Sequence, residues 1–380
     1  MSDATHSPVI QADLLTSVVS RSFGRPIDEL GDWAVEAIHG GAGDTLGVYR
    51  VAGEVVQDGA ESPWSVILKV IGRPERGGEL VDWNYWRREA MLYQSELAAE
   101  LPEGLERPRC LGVTDQSADQ LWLWLEDIEE RVADWTLDDY GRVAYRVAGL
   151  NSPYLAGEPV PGDGWLSRGW LRGKMEEAAR AVAVLPGALH HPMVRRALPP
   201  DVSDWILQTW ADREHYLRIL DRLPRTLCHI DVFRRNVLFR RHQDSCVLID
   251  WAFVGEGAIG EDLAPLIQGS LLFFEVELDA APDVERVVLT EYVAGLRDAG
   301  WPANAELVHL GYAAASTLRY SLGELEAILG VLTNEQLYPW AEQIFRRPIG
   351  DACDAWAAIF REHVRPLSAR ASALAAELGV

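Results

Sequence analysis

The 380-residue sequence predicts an α+β fold in two lobes. Two observations carry that expectation. Up to about residue 127 the apolar residues fall in short runs separated by polar, turn-forming stretches, which is the pattern of antiparallel strands, with one helical segment among them. From Asp138 onward they recur at three- and four-residue spacing, the pattern of helices packed on one face. The expected organisation is an N-terminal sheet lobe over 1–127 and a larger, mostly helical lobe over 128–380. With 48% hydrophobic residues the chain can bury one or two substantial cores, and it shows no internal repeat, heptad array or low-complexity tract.

The elements follow in order. Trp33 to Ile38 and Leu46 to Val51 read as strands flanking His39-Gly40-Gly41-Ala42-Gly43-Asp44-Thr45. That turn, through Gly41 and Gly43, could fold backbone amides over phosphates, although glycine-rich turns are common and an ordinary hairpin fits equally. Trp64 to Ile71 is apolar except for Ser65 and Lys69, and a lysine in a buried strand needs an anionic partner. Asp82 to Glu100 contains no Pro or Gly, reads as a helix, and carries Arg88-Glu89-Ala90 in its first half. Two further strands, Cys110 to Thr114 and Gln120 to Leu125, end at Glu126-Asp127-Ile128. Helical segments are expected near 138–150, 168–185, 201–222, 263–277, 283–299, 304–330, 334–346 and 351–377.

The most informative stretch is Leu227-Cys228-His229-Ile230-Asp231-Val232-Phe233-Arg234-Arg235-Asn236, followed by Val247-Leu248-Ile249-Asp250. Asn236 opens a short apolar run and Asp250 closes another, Cys246 to Ile249. The polar 240–245 between them suggests a hairpin that brings Asn236 and Asp250 to one end. Oxygen-bearing side chains so placed suit magnesium, a hard ion that takes one or two carboxylates beside phosphates and waters. Asp231 lies five residues ahead of Asn236, on the loop entering the hairpin, where it could accept a proton from an attacking hydroxyl. Phosphoryl transfer asks a protein for this kind of positioning and for positive charge against phosphate oxygens. The bland reading is that Asp and Asn favour turns and strand ends because their side chains bond nearby backbone.

The pattern His-x-Asp-x-x-x-x-Asn, followed by an apolar strand and Asp, resembles the aminoglycoside phosphotransferase and choline kinase-like superfamily, small-molecule kinases with a protein-kinase-like fold. The resemblance implies ATP and Mg2+ as cofactors, Asp231 as catalytic base, Asn236 and Asp250 as metal ligands, and His229 as a structural loop residue. It further implies that Lys69 touches the α and β phosphates while Glu89 orients it, and that Glu126 and Ile128 contact the nucleotide through their backbone at the hinge. The helical lobe would then hold the catalytic loop and the acceptor pocket, and Asp262, in Gly260-Glu261-Asp262-Leu263-Ala264, would brace that loop. The family commonly has Gly where Ile230 stands. A β-branched residue suits no glycine-only backbone angle, so a differently shaped loop is expected. A protein kinase fits less well, because Asp250 is followed by Trp251-Ala252 and no Ala-Pro-Glu comes after. A nucleotide-binding regulatory protein without the reaction stays open beside the enzyme reading.

The formal net charge of -23 argues against nucleic acid and anionic membrane as partners. A negative field suits a cationic small-molecule acceptor, but acidic surfaces also serve solubility alone. The four cysteines Cys110, Cys228, Cys246 and Cys353 form no metal-binding pair, and neither a zinc site nor a disulfide is expected. Trp165 and Trp170 flank the Gly/Pro-rich 157–164 stretch; core packing and ligand stacking both suit them. With no basic-plus-apolar leader in Met1 to Ala12 and no apolar run of membrane-spanning length, the cytoplasm is the expected location.

Overall fold

The computed structural model describes residues 8–38, 45–97, 101–131, 134–302 and 304–380. The chain divides into two compact units. One comprises Met1–Glu100, Glu106–Val132 and Leu238–Ala252; the other comprises Leu101–Leu105, Ala133–Val237 and Phe253–Val380.

The first unit begins with helix α1 (Ala12–Phe23), which sequence periodicity did not single out. Asp13 stands in its first turn and Arg21 in its last, complementing the helix dipole, and Gly24 ends it in the left-handed conformation at φ 70°. Strands β1 (Glu29–Ile38), β2 (Thr45–Gln57) and β3 (Ala60–Gly72) follow, then helix α2 (Arg88–Gln94) and the two-residue strand β4 (Leu105–Glu106). Next come β5 (Cys110–Ser117) and β6 (Gln120–Glu126). The sheet is antiparallel in the order β1-β2-β3-β6-β5, and the register pairs Val48 with Lys69 and Lys69 with Leu123. Lys69 therefore sits in the central strand. Its neighbours Leu68 and Val70 point to the other face, where they pack with Leu15, Val18, Val19, Trp122 and Trp124. Each such side chain contributes roughly 1.5–3 kcal/mol by leaving water.

Helix α2 is shorter than the expected 82–100. Residues 82–87 form turns, because the Arg88 guanidinium binds the carbonyls of Asp82 and Trp83 at 2.8 Å each, while the Asp82 carboxylate accepts from the Glu79 amide. These side-chain bonds compete with helix formation.

In the second unit, helix α3 (Leu137–Leu155) opens with a capping box between Thr136 and Asp139. It lies against a helix at Ala281–Asp298, and Gly295 permits the approach: a Cβ there would meet the Tyr145 carbonyl at 2.5 Å. Helix α4 (Trp170–Ala188), α5 (Pro192–Ala197) and α6 (Pro200–Arg222) come next. A small sheet in the order β7-β11-β8 joins Ser167–Arg168 (β7), Arg225–Cys228 (β8) and Gly255–Ala258 (β11). Between β8 and β11 in sequence run β9 (Val237–Phe239) and β10 (Cys246–Leu248), the expected hairpin, which belongs to the first unit from Leu238 on. Asn236 does not open its strand as expected but closes a 3-10 turn, Arg234–Asn236, just before it.

The helix expected over 263–277 is instead a π-helical turn at Pro265–Gly269 followed by a single α turn at Ser270–Leu272. Pro265 stands in the first turn, where its missing amide is tolerated, and Phe274, left-handed at φ 58°, ends the helical run. The long helical spans expected at 304–330 and 351–377 are present, each interrupted by a π segment, Arg319–Gly323 and Phe360–Val364. Trp165 and Trp170 are buried. Among the described residues no helix is long and apolar enough to cross a membrane, and none of the four cysteines is in a disulfide.

Candidate active site

In the first unit, the lysine inferred to need a partner has two. Lys69 Nζ stands 2.7 Å from Glu89 Oε2 and 2.7 Å from Asp250 Oδ1. Its side chain is 7% exposed and that of Glu89 2%, whereas the Asp250 side chain is 40% exposed. Burial pushes the ammonium's pKa down, but Asp250 and Glu89 outweigh it, so Lys69 stays protonated and its pKa lies above the usual lysine value.

The turn carrying Asp250 is held from α2. Glu89 Oε1 accepts from the Trp251 amide at 3.3 Å, and Arg88 donates to the Ala252 carbonyl at 2.9 Å. Asp250 itself has φ 60°, a conformation that Asp tolerates better than most residues. The hairpin thus ends in a left-handed residue whose carboxylate faces the lysine.

At the end of β6, the Glu126 carboxylate accepts from Arg240 at 3.0 and 3.2 Å, and its backbone amide donates to the Arg109 carbonyl at 3.0 Å. Ile128 is half-buried. Gly41 and Gly43 lie outside the described residues.

In the second unit, Asp231 and Asn236 come together. Asn236 Nδ2 donates to Asp231 Oδ2 at 2.8 Å and to the Asp231 carbonyl at 3.1 Å, which turns its amide oxygen away from the carboxylate. His229 is fully buried, and its Nδ1 accepts from the Asp231 amide at 3.2 Å, a loop-packing role.

Ile230 keeps the backbone angle that glycine would have supplied. Its φ is 72°, so the expected change of loop shape does not occur. A β-branched residue there stores on the order of 1–2 kcal/mol of strain. The loop is held in place by Asp262, whose Oδ1 accepts from the Ile230 amide at 2.6 Å and whose Oδ2 accepts from the His229 amide at 3.3 Å. Arg319 binds the Ile230 carbonyl. Ile230 also fills a buried site. Truncating it to Ala or Gly should destabilise the protein, but Ile230→Gly should be the more stable of the two by about 1 kcal/mol, because only glycine adopts this angle freely. Denaturant unfolding checks this; the usual order, with Ala the more stable, would show that the loop is unstrained.

Asp262 is buried, and burial raises its pKa to about 6 against the bonds from Ile230 and Asn151 that lower it. A raised carboxyl binds its proton more tightly folded than unfolded, so this group adds stability as pH falls from about 6 toward the ordinary aspartate value of 3.8. The stability difference between the wild type and Asp262→Asn should therefore move in the wild type's favour by on the order of 1 kcal/mol per pH unit over that window. Unfolding titrations from pH 7 to 4 test it; a difference that stays flat would show that Asp262 does not titrate there. Glu261 accepts from the Ala258 amide at 2.8 Å, within the turn ahead of the π segment.

Two residues of this loop's setting escaped the sequence reading. Asn151 of α3 donates to the Leu227 carbonyl at 2.7 Å and to Asp262 at 3.3 Å, while its own Oδ1 accepts from Tyr292 at 2.6 Å. Arg319 places Nη2 2.5 Å from Asp231 Oδ1. A lone cation in the apolar 310–323 stretch was the available signal, the same one that marked Lys69.

The donor set suits magnesium. In the first unit two carboxylates face one ammonium, which leaves excess negative charge at Asp250, with its side chain 40% exposed. Among the described residues no group of three or more His, Cys, Asp or Glu is positioned to hold a metal.

The chain belongs to the phosphotransferase enzyme family (APH), whose model matches residues 97–307. No curated protein matches it. Among solved structures it is similar to choline kinase from Cryptosporidium parvum Iowa II, with TM-score 0.54 and 12% identity over 94% of this chain and 99% of that one. Spectinomycin phosphotransferase, solved with ADP and spectinomycin, gives 0.51 and 13% over 92% and 99%. Amicoumacin kinase, solved with AMP-PNP, Ca2+ and its antibiotic, gives 0.51 and 12% over 90% and 95%. At such identities the likeness speaks for the fold, which is the two-lobed α+β fold the sequence predicts.

Proposed function

We propose that this protein moves the γ-phosphate of ATP to a hydroxyl of a small molecule, of the aminoglycoside, amino-sugar or choline-like alcohol class. The observation that carries the reading is the buried Lys69 ammonium set between Glu89 and Asp250. A protein gains little stability from burying such a cluster, since the cost of dehydrating the charges offsets their attraction. Its retention is understood if the lysine serves a phosphate. The nucleotides in the spectinomycin and amicoumacin kinase complexes support the same reading.

In this reading Lys69 binds the α and β phosphates and Glu89 orients it. Backbone groups of Gly41, Gly43, Glu126 and Ile128 contact the nucleotide, Asn236 and Asp250 hold magnesium, and Asp231 accepts the proton of the attacking hydroxyl. Bound magnesium would neutralise charge on the phosphate oxygens. The net charge of -23 supports a cationic acceptor. The non-catalytic alternative drew on Ile230 and on the glycine-rich turn; Ile230 holds its loop in a left-handed conformation at φ 72°, and the turn lies outside the described residues. The test is ADP release from MgATP with choline, glucosamine, kanamycin and a wider panel of amines and sugars. Acceptor-dependent release that requires magnesium supports the enzyme reading, and silence across the panel together with ATP binding would favour a regulatory nucleotide binder.

A further inference from the structure

We propose that Arg319 is a positioning residue for this transfer: its guanidinium ties the Asp231 carboxylate to the Ile230 carbonyl and so fixes which face of the carboxylate meets the acceptor hydroxyl. The inference rests on the phosphotransferase reading above. It starts from an unusual local structure. Arg319 opens a π-helical segment, Arg319–Gly323, inserted between Ala305–Leu318 and Leu325–Leu332, and such insertions concentrate at functional sites because they turn a side chain away from the regular helical direction.

The side chain so turned is buried and fully engaged. Nη2 meets Asp231 Oδ1 at 2.5 Å, Nη1 binds the Ile230 carbonyl, and Nε lies 3.4 Å from Glu324 Oε1. The guanidinium also sits over the Trp170 ring, 4.7 Å from its centroid, and 5.5 Å from that of Tyr320. Trp170, at the start of α4, thereby serves as a floor under the cation.

The consequence for Asp231 is geometric. Arg319 holds Oδ1 while Asn236 holds Oδ2 at 2.8 Å, so the carboxylate is gripped at both oxygens and cannot rotate. A carboxylate oxygen has two lone-pair directions, so one donor on an oxygen does not by itself bar it from taking a hydroxyl proton. The same fork acts on the backbone. The peptide linking Ile230 to Asp231 is gripped at its carbonyl by Arg319, and the preceding amide by Asp262, across a residue in a disfavoured left-handed conformation. Without the fork, relaxation of Ile230 would swing Asp231 with it. A lysine could meet one of these two oxygens but cannot match the planar fork.

The experiment compares the wild type, Arg319→Lys, Arg319→Met and Glu324→Gln for thermal midpoint, affinity for a non-hydrolysable ATP analogue with magnesium, and kcat and KM for MgATP with water and with the acceptor panel above. We expect both Arg319 variants to bind the nucleotide as the wild type does while kcat falls about 10- to 100-fold, the range that small misplacements of a reacting group produce. The lysine should not restore it. An active wild type with a fully active Arg319→Met or Arg319→Lys would overturn the positioning role alone. A wild type without any phosphate transfer would overturn the functional reading and this role with it. If neither Arg319 variant folds, Glu324→Gln decides: a several-fold lower kcat at unchanged KM for MgATP supports the role, and an unchanged kcat overturns it.

Discussion

Replacing Asp231 by Asn should leave nucleotide binding intact and lower turnover by about two to four orders of magnitude, the span lost with a positioned proton acceptor. The contrast follows from where the charges lie. Lys69, Glu89 and Asp250, the charges proposed to serve the nucleotide, belong to one compact unit and pair among themselves, while Asp231 pairs with Arg319 and Asn236 in the other. Asn keeps the size of the side chain, and Arg319 keeps Glu324 as a counter-charge at 3.4 Å, so the loss should be one of chemistry more than of fold. Steady-state kinetics with a parallel binding titration separates the two. Near-normal turnover of Asp231→Asn would remove Asp231 from the reaction.

The residues that do the proposed chemistry were legible because each is defined by its neighbours in sequence. Asp231 and Asn236 lie on one loop, and Asp250 ends the strand that pairs with the strand after it. Lys69 was legible for a different reason: a charge in a buried strand demands a partner, and Glu89 on the following helix was a candidate for it. What the sequence did not show depends on contacts between distant positions. Arg319 reaches Asp231 across 88 residues, and Asn151 reaches Asp262 across 111.

The two misjudged local structures have the same origin. Ile230 looked incompatible with the loop because the local rule disfavours a left-handed isoleucine, yet Asp262, 32 residues away, and Arg319, 89 residues away, hold that angle in place. Residues 82–87 looked helical because nothing in them breaks a helix. Their carbonyls are instead taken by Arg88, whose guanidinium also anchors Ala252, 164 residues downstream. Local propensity is a weak prior wherever a buried cation can claim the backbone.

Lys69→Met should have the largest effect on stability. The substitution keeps the length of the side chain but leaves Glu89, with its side chain 2% exposed, as a buried carboxylate without its cation. Breaking a buried pair from one side costs about 3–5 kcal/mol, chiefly through the charge left behind. The Trp251 amide, 3.3 Å from Glu89 Oε1, offsets part of this, and Asp250, being 40% exposed, can return to water at little cost. The penalty is therefore assigned to Glu89, and adding Glu89→Gln to Lys69→Met should recover a large share of the stability without recovering nucleotide affinity. That dissociation is the informative result. Denaturant unfolding of the two single variants and the double variant forms a closed cycle, and a binding titration with an ATP analogue runs beside it. If the double variant is as unstable as the sum of the singles, Lys69 and Glu89 are not coupled. If it regains nucleotide affinity, the lysine does not serve the phosphates, and the cluster is structural.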